Sequence, residues 1–145
     1  MKLWSQAFVE GAFIPEKYAF GKIDPVHHIV LSDNHSPDLH WEGVPTQAHS
    51  LALLCYDPDA PSEGSLVNKE GQVVSARLRR ADFFHWALIN LPPTLNGFSE
   101  SAFSEKVTLR GKKPQQAVHF GRAGLNDYTQ WFAQDPELCG DYYGY

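Results

Sequence analysis

Two features of this 145-residue chain could carry chemistry. The first is Asp57-Pro58-Asp59-Ala60-Pro61. Two prolines lock two φ angles and remove two backbone donors, so a rigid turn here could hold two carboxylates in fixed places. Spacing alone also allows a tight turn whose aspartates cap nearby N–H groups. The second feature is His85, inside Phe83-Phe84-His85-Trp86-Ala87-Leu88-Ile89-Asn90. An imidazole among aromatic and aliphatic residues must find a polar partner or cost stability. It reads either as a satisfied core histidine or as a histidine that faces the aspartate turn and meets Asp57. In the second case the carboxylate favours the imidazolium and raises its pKa, and a charged or proton-donating imidazole can bind an anion.

No other cluster competes with these two. His27 and His28 are adjacent, so on a strand they point to opposite sides and do not chelate one metal. His35 and His40 lie in the turn-rich run Asp33-Asn34-His35-Ser36-Pro37-Asp38-Leu39-His40, and a zinc site needs three or four converging ligands. There is no C-x-x-C, no H-E-x-x-H, no glycine-rich nucleotide loop and no G-x-S-x-G elbow. We therefore expect neither a metal nor a cofactor. Cys55 sits in the apolar run Leu51-Ala52-Leu53-Leu54-Cys55-Tyr56 and reads as a buried thiol. Cys139 lies in polar surroundings, so a disulfide framework is not expected.

The elements that position these residues are short. Ten prolines and eleven glycines punctuate the whole chain, and the apolar pieces between them are strand-sized. Residues 51–56 form an unbroken apolar run, like a strand buried on both faces. Residues 83–91 form another, ended by Pro92-Pro93, where a central strand must stop. Both are expected as central strands. Lys106-Val107-Thr108-Leu109-Arg110 alternates like a half-buried strand closed by Gly111. Residues 29–31 and 117–120 are weaker candidates. No window shows a convincing helical period, so a mostly-β domain with one or two helical turns is expected. Residues 62–82, ending in Arg77-Leu78-Arg79-Arg80, and residues 128–141 read as long excursions. The arginines would steer anions or form a solvated rim.

Composition sets limits. An apolar content of 43% suffices for one core, and 20% charged residues argue against disorder. A net charge of −5 disfavours a nucleic-acid partner. No apolar run approaches the ~20 residues of a membrane span. The first residues lack a signal-peptide core, so the expected compartment is the cytoplasm.

Taken in order, the segments form a pattern. Ser36-Pro37-Asp38-Leu39-His40-Trp41-Glu42-Gly43-Val44-Pro45 resembles S-P-x-L-x-W-x-x-V-P of the phosphatidylethanolamine-binding family. Asp57-Pro58-Asp59-Ala60-Pro61 matches its D-P-D-A-P. His85-Trp86-Ala87-Leu88-Ile89-Asn90-Leu91-Pro92 resembles the bacterial H-W-x-x-x-N-[IL]-P. Gly124-Leu125-Asn126-Asp127-Tyr128 and Gly144-Tyr145 resemble the halves of G-x-N-D-[FY]…G-Y. The likeness covers roughly residues 36–61, 83–97 and 121–145. It is greatest to the bacterial branch, similar to Raf kinase inhibitor protein.

The resemblance implies a β-sandwich-like single domain over residues 1–145 with an anion pocket at one end of the sheet. That pocket maps onto Asp57, Asp59, Pro61 and His85, with Trp41 supporting the D-P-D-A-P region from behind. In the family the pattern continues into a G-P-x-P-P turn and a strand bearing a second pocket histidine and a tyrosine. That strand has no counterpart in these 145 residues, so the expected fold is incomplete at its C-terminal side. The implied function is a binding or regulatory module for a small phosphate-bearing or other oxyanion ligand. Two alternatives stay open: a hydrolase or phosphoryl-handling enzyme with an Asp57/His85 acid–base pair, and an inhibitor of a kinase or protease whose partner sequence cannot name.

Overall fold

The computed structural model describes residues 1–67, 69–114 and 120–145. Its strands fall into three antiparallel groups. Strands β1 (Lys2–Trp4), β4 (Leu39–Glu42) and β7 (Gly97–Phe98) form one sheet in the order β1-β4-β7. Strands β2 (Gly21–Asp24) and β3 (His28–Leu31) form a hairpin, whose bend is held by Asp24 Oδ1 accepting the Val26 and His27 N–H groups. The third sheet, β5-β6-β8, joins β5 (Leu51–Pro61), β6 (Arg80–Leu91) and β8 (Arg122–Ala123). A 3-10 turn at Glu16–Tyr18 and a short helix α1 (Tyr128–Trp131) are the helical elements among the described residues.

The first and third sheets pack together through one aromatic core. Trp41 of β4, Phe98 of β7, Phe103 and the β6 residues Trp86, Leu88 and Leu91 form it, with Leu51, Leu53 and Cys55 of β5 packed against it. The Trp41 indole donates to the Leu95 carbonyl at 2.7 Å, so this large side chain buries its ring without stranding its N–H. Ser36, fully buried, ties the core to residues 101–104. Its Oγ accepts from Phe103 N and Ser104 N.

Four sequence expectations are revised. Residues 51–56 do form a strand, but β5 is an edge strand of its sheet; β6 is the central one. Nor is β5 buried on both faces: Leu54 and Tyr56 are each 52% exposed while Leu53 and Cys55 face the core. The D-P-D-A-P segment is not a turn beyond the strand. The ladder runs through it, with Ala60 opposite Ala81 and Pro61 opposite Arg80, and a register shift absorbs Pro58 and Asp59. Prolines are tolerated in a sheet at edges and bulges, and here both conditions hold. Lastly, residues 106–110 are not a strand. The segment bends and closes in a turn in which Gly111 N–H donates to the Thr108 carbonyl at 3.0 Å. Alternation needs a neighbouring edge to become a strand, and none is offered there among the described residues. The weaker candidate at 29–31 lies within β3, whereas 117–119 fall outside the described residues.

Candidate functional site

The position of His85 follows from a counting irregularity in the β5–β6 ladder. Cys55 pairs with Trp86, but the next residue, Tyr56, pairs with Phe84. One residue of β6, His85, is therefore extra. Phe84 and Ala87 pair with the exposed Tyr56 and Leu54, so both lie on the outer face. His85 and Trp86 consequently turn inward together, although a regular strand would send consecutive side chains to opposite faces. A β-bulge re-aims a side chain in this way. Trp86 goes into the core and His85 into a cavity beside it.

The bulge interrupts pairing, and the segment before α1 restores it. Phe84 N–H donates to Asp127 Oδ2 at 2.7 Å, and Asp127 N–H donates to the Phe84 carbonyl at 3.0 Å. Buried Asn126 donates through Nδ2 to the His85 carbonyl at 2.8 Å and to the Gly144 carbonyl at 3.0 Å. Its Oδ1 accepts Tyr128 N–H at 3.1 Å. The Asn126-Asp127 pair thus clamps the backbone on both sides of the histidine.

The cavity has a volume of about 340 Å³. His85 and Cys55 form part of its wall from the sheet, with Asn126 and Tyr128 beside them. Tyr18, Phe20, Tyr142 and Tyr145 add an aromatic lining, and Lys112 closes one side. Among the described residues no Asp or Glu side chain lines it. Tyr128 stands edge-on to His85 with ring centres 5.4 Å apart. Among the described residues neither ring nitrogen of His85 has a hydrogen-bond partner.

Electrostatics here differ from the sequence expectation in sign. Burial pushes the His85 pKa below its ordinary value, and the charges of Asp57 and Asp127, which act the other way, do not overcome it. Taking a charged imidazole out of water costs more than two distant carboxylates return. His85 is therefore neutral at neutral pH. Burial also raises the Cys55, Tyr128 and Tyr145 pKa values, so all three stay protonated. Burial lowers the Lys112 pKa to about 8.

The expected site residues separate. Asp57 acts on His85 through space, but its Oδ1 accepts Asp59 N–H at 2.8 Å, the capping role that spacing had offered as an alternative. Asp59 is exposed. Pro61 lines a different hollow, together with Asp82, Phe83, Asp127 and Trp131. Trp41 belongs to the aromatic core, which reaches β5 at Leu51, Leu53 and Cys55, ahead of D-P-D-A-P. Arg77, Arg79 and Arg80 are exposed and line neither hollow.

Sequence reasoning missed Lys112 and the clamping role of Asn126 and Asp127. The latter stood in a recognisable motif, so a signal existed. Lys112 had none, because residues distant in sequence bury it. Gly111 adopts a φ of 77° and has no Cβ where the Asp141 carbonyl and Tyr142 press on it. This close approach sets Lys112 against Tyr143 in a bridge and brings its ammonium to Tyr145.

Comparison with known proteins agrees with the sequence pattern. The family model described as phosphatidylethanolamine-binding protein matches residues 4–145. A UPF0098 protein of Methanothermobacter thermautotrophicus is 34% identical over 127 residues, covering 88% of this chain and 60% of that one. The UPF0098 protein YbhB of Escherichia coli is 27% identical over 126 residues, covering 87% of this chain and 66% of its own length. The chain thus spans about two thirds or less of these relatives. A solved phosphatidylethanolamine-binding protein homolog from Chlamydia trachomatis is 31% identical, with a TM-score of 0.47 over 72% of this chain and 54% of that one. No helix among the described residues is long and apolar enough to cross a membrane. With a family model matched along nearly its whole length, this chain belongs to the phosphatidylethanolamine-binding protein family.

Proposed function

We propose that this protein is a binding module whose cavity beside His85 takes a small ligand bearing a phosphate or similar oxyanion. One observation carries the reading: among the described residues, an imidazole without a protein partner opens on an aromatic cavity with no Asp or Glu side chain in its wall. Such a cavity suits a ligand with an apolar body and a few polar contacts. His85 and Lys112 are the donors whose charge can answer an anion. Asp57 influences the His85 proton through space, while Asp59 and Pro61 shape the bulged edge behind it. We read residues 1–145 as one domain around this site.

The proton balance makes the reading testable. A neutral imidazole that meets an anion gains a reason to protonate, so binding takes up a proton. Affinity then rises as pH falls through and below the ordinary histidine value. Calorimetric titration with phenyl phosphate from about pH 5 to about pH 8, a range that brackets that value, should show this trend in the wild type and lose it in His85→Ala. Unchanged affinity in the variant removes His85 from the site.

A further inference from the structure

The hollow that Pro61 lines and the arginines near the start of β6 form one surface patch with two halves. The negative half has a fixed floor. Trp131 meets Phe83 edge-on with ring centres 5.2 Å apart. Gly64 lies so near the Trp131 ring that an added Cβ would come to 3.3 Å of it, which seats the segment after β5 on that indole. Around this floor stand Asp82, Asp127 and Asp135, with Lys69 as the one cation among the described lining residues. The positive half adjoins it. Arg77 N–H donates to Ser75 Oγ at 3.2 Å and Leu78 N–H to the Ser75 carbonyl at 3.1 Å, a turn that presents Arg77 at the surface. The next two arginines are tied to the rim of the hollow by their backbones. The Arg79 carbonyl accepts Ser62 N–H at 2.9 Å, and Arg80 pairs with Pro61, while Pro61 and Ser62 line the hollow. Opposite charges are thus neighbours and yet unpaired. Among the described residues no carboxylate forms an ion pair with Arg77, Arg79 or Arg80, and no cation pairs with the three aspartates. Asp127 and Asp135 accept backbone N–H groups instead.

We propose that this patch is an interface between two copies of the chain, in which the arginines of each copy lie over the acidic hollow of the other. The choice of occupant follows from the charges. A basic partner would answer the hollow alone, and an acidic partner the arginines alone. A second copy, turned about a two-fold axis that passes between the halves, answers both at once, because a two-fold interface makes every contact twice. Arginine suits the role: its planar fork meets a carboxylate bidentately and also stacks on an aromatic face, which Trp131 offers here. Leu66 and Val73, exposed in the same segment, add apolar area for the partner to cover. Exposed charges dominate the patch, so the interface weakens with salt. It neither requires nor excludes an anion beside His85.

Analytical ultracentrifugation tests this at concentrations up to on the order of 100 μM, which reaches micromolar dissociation constants. The wild type should dimerise at ~0.1 M salt and dissociate at least about tenfold more readily at ~1 M, where the screening length has fallen from ~10 Å to ~3 Å. Two variants then invert one half each. Arg77→Glu, Arg79→Glu and Arg80→Glu together make the whole patch negative. Asp82→Lys, Gln130→Lys and Gln134→Lys together, all at exposed positions of the hollow, make it positive and leave Asp127 and Asp135 in place. Each variant, shown to be folded by circular dichroism, should be monomeric alone at the lower salt. An equimolar mixture should restore a dimer with one copy of each, because every contact is then again between opposite charges. The wild-type salt series needs no variant to fold. A wild type that is monomeric at both salt concentrations, or a dimer that salt does not weaken, would overturn the proposal. So would folded variants that still dimerise alone or stay monomeric when mixed.

Discussion

Two hollows flank β6, and they differ in sign. The cavity of about 340 Å³ next to His85 has Lys112 and several tyrosines in its wall and, among the described residues, no Asp or Glu side chain. The neighbouring cleft of about 690 Å³, beyond Phe83, is lined by Asp82, Asp127 and Asp135, with Lys69 and Trp131. They are separated by residues only two apart on one strand. The bulge turns His85 into the first, Phe83 faces the second, and the Asn126-Asp127 clamp serves both. Their difference shows that positions two apart on one strand can face walls of different charge, because the clamp presents Asn126 to one hollow and Asp127 to the other. Asp127 accepts Phe84 N–H, so it holds the wall of the cleft while its charge reaches His85 only through space.

The largest effect should come from removing the clamp. Asn126→Ala leaves the His85 and Gly144 carbonyls and Tyr128 N–H without this partner. At about 1–3 kcal/mol for each buried group left unpaired, a total loss of roughly 3 kcal/mol is expected. Urea denaturation measures it, and a loss below about 0.5 kcal/mol, the scale of an ordinary surface substitution, would show that the bulge holds itself. Next, the two hollows can be compared by charge removal. Lys112→Met should weaken phenyl phosphate binding about tenfold, or about 1.4 kcal/mol, whereas Lys69→Met in the cleft should change it little; calorimetry that ranks them the other way would move the anion site to the cleft.

A smaller effect concerns pH. The folded His85 pKa lies below the unfolded one, so between these values the unfolded chain binds more protons. Stability is then full above the ordinary histidine value of about 6.5, falls as pH drops from there toward the folded value, and loses nothing further from this group below it. Denaturation midpoints from pH 7.5 to pH 5 should show this decline in the wild type, and His85→Asn should flatten part of it. A wild-type midpoint that rises over the same range would mean that Asp57 and Asp127 win over burial after all. The smallest effect is expected at the exposed rim. Replacing Arg77, Arg79 and Arg80 together by Gln should lower phenyl phosphate affinity only at low salt, because exposed charges are screened beyond about 10 Å at ~0.1 M. An equal loss at high salt would place one of them inside the site.

Much of the frame could be read from the residues. The apolar runs gave the cores of β5 and β6, Pro92-Pro93 gave the end of β6, and the pattern of motifs gave the family. What escaped depends on pairing. The Pro58–Asp59 irregularity looked like a turn because a bulge exists only relative to the register of its partner strand. Lys106 to Arg110 had the alternation of a strand but no edge to join among the described residues. Asp57 can be read from the motif as a group that raises the His85 pKa, whereas the burial that outweighs it cannot be read from the sequence. Lys112 looked like any surface lysine until Ser104 and Tyr145 were seen beside it.

The extra residue in β6 also says how such a histidine can be gained or lost. His85 occupies no place that the regular ladder needs: Cys55 faces Trp86 and Tyr56 faces Phe84 without it. Deleting it would leave the neighbouring pairs in register and the core tryptophan where it is. A substitution at any adjacent position, by contrast, would have to sacrifice either a core side chain or an outward-facing one. The histidine is an extra residue in the β5–β6 ladder, so a designer wishing to place an inward histidine on another two-stranded ladder should lengthen one strand by a residue rather than exchange one.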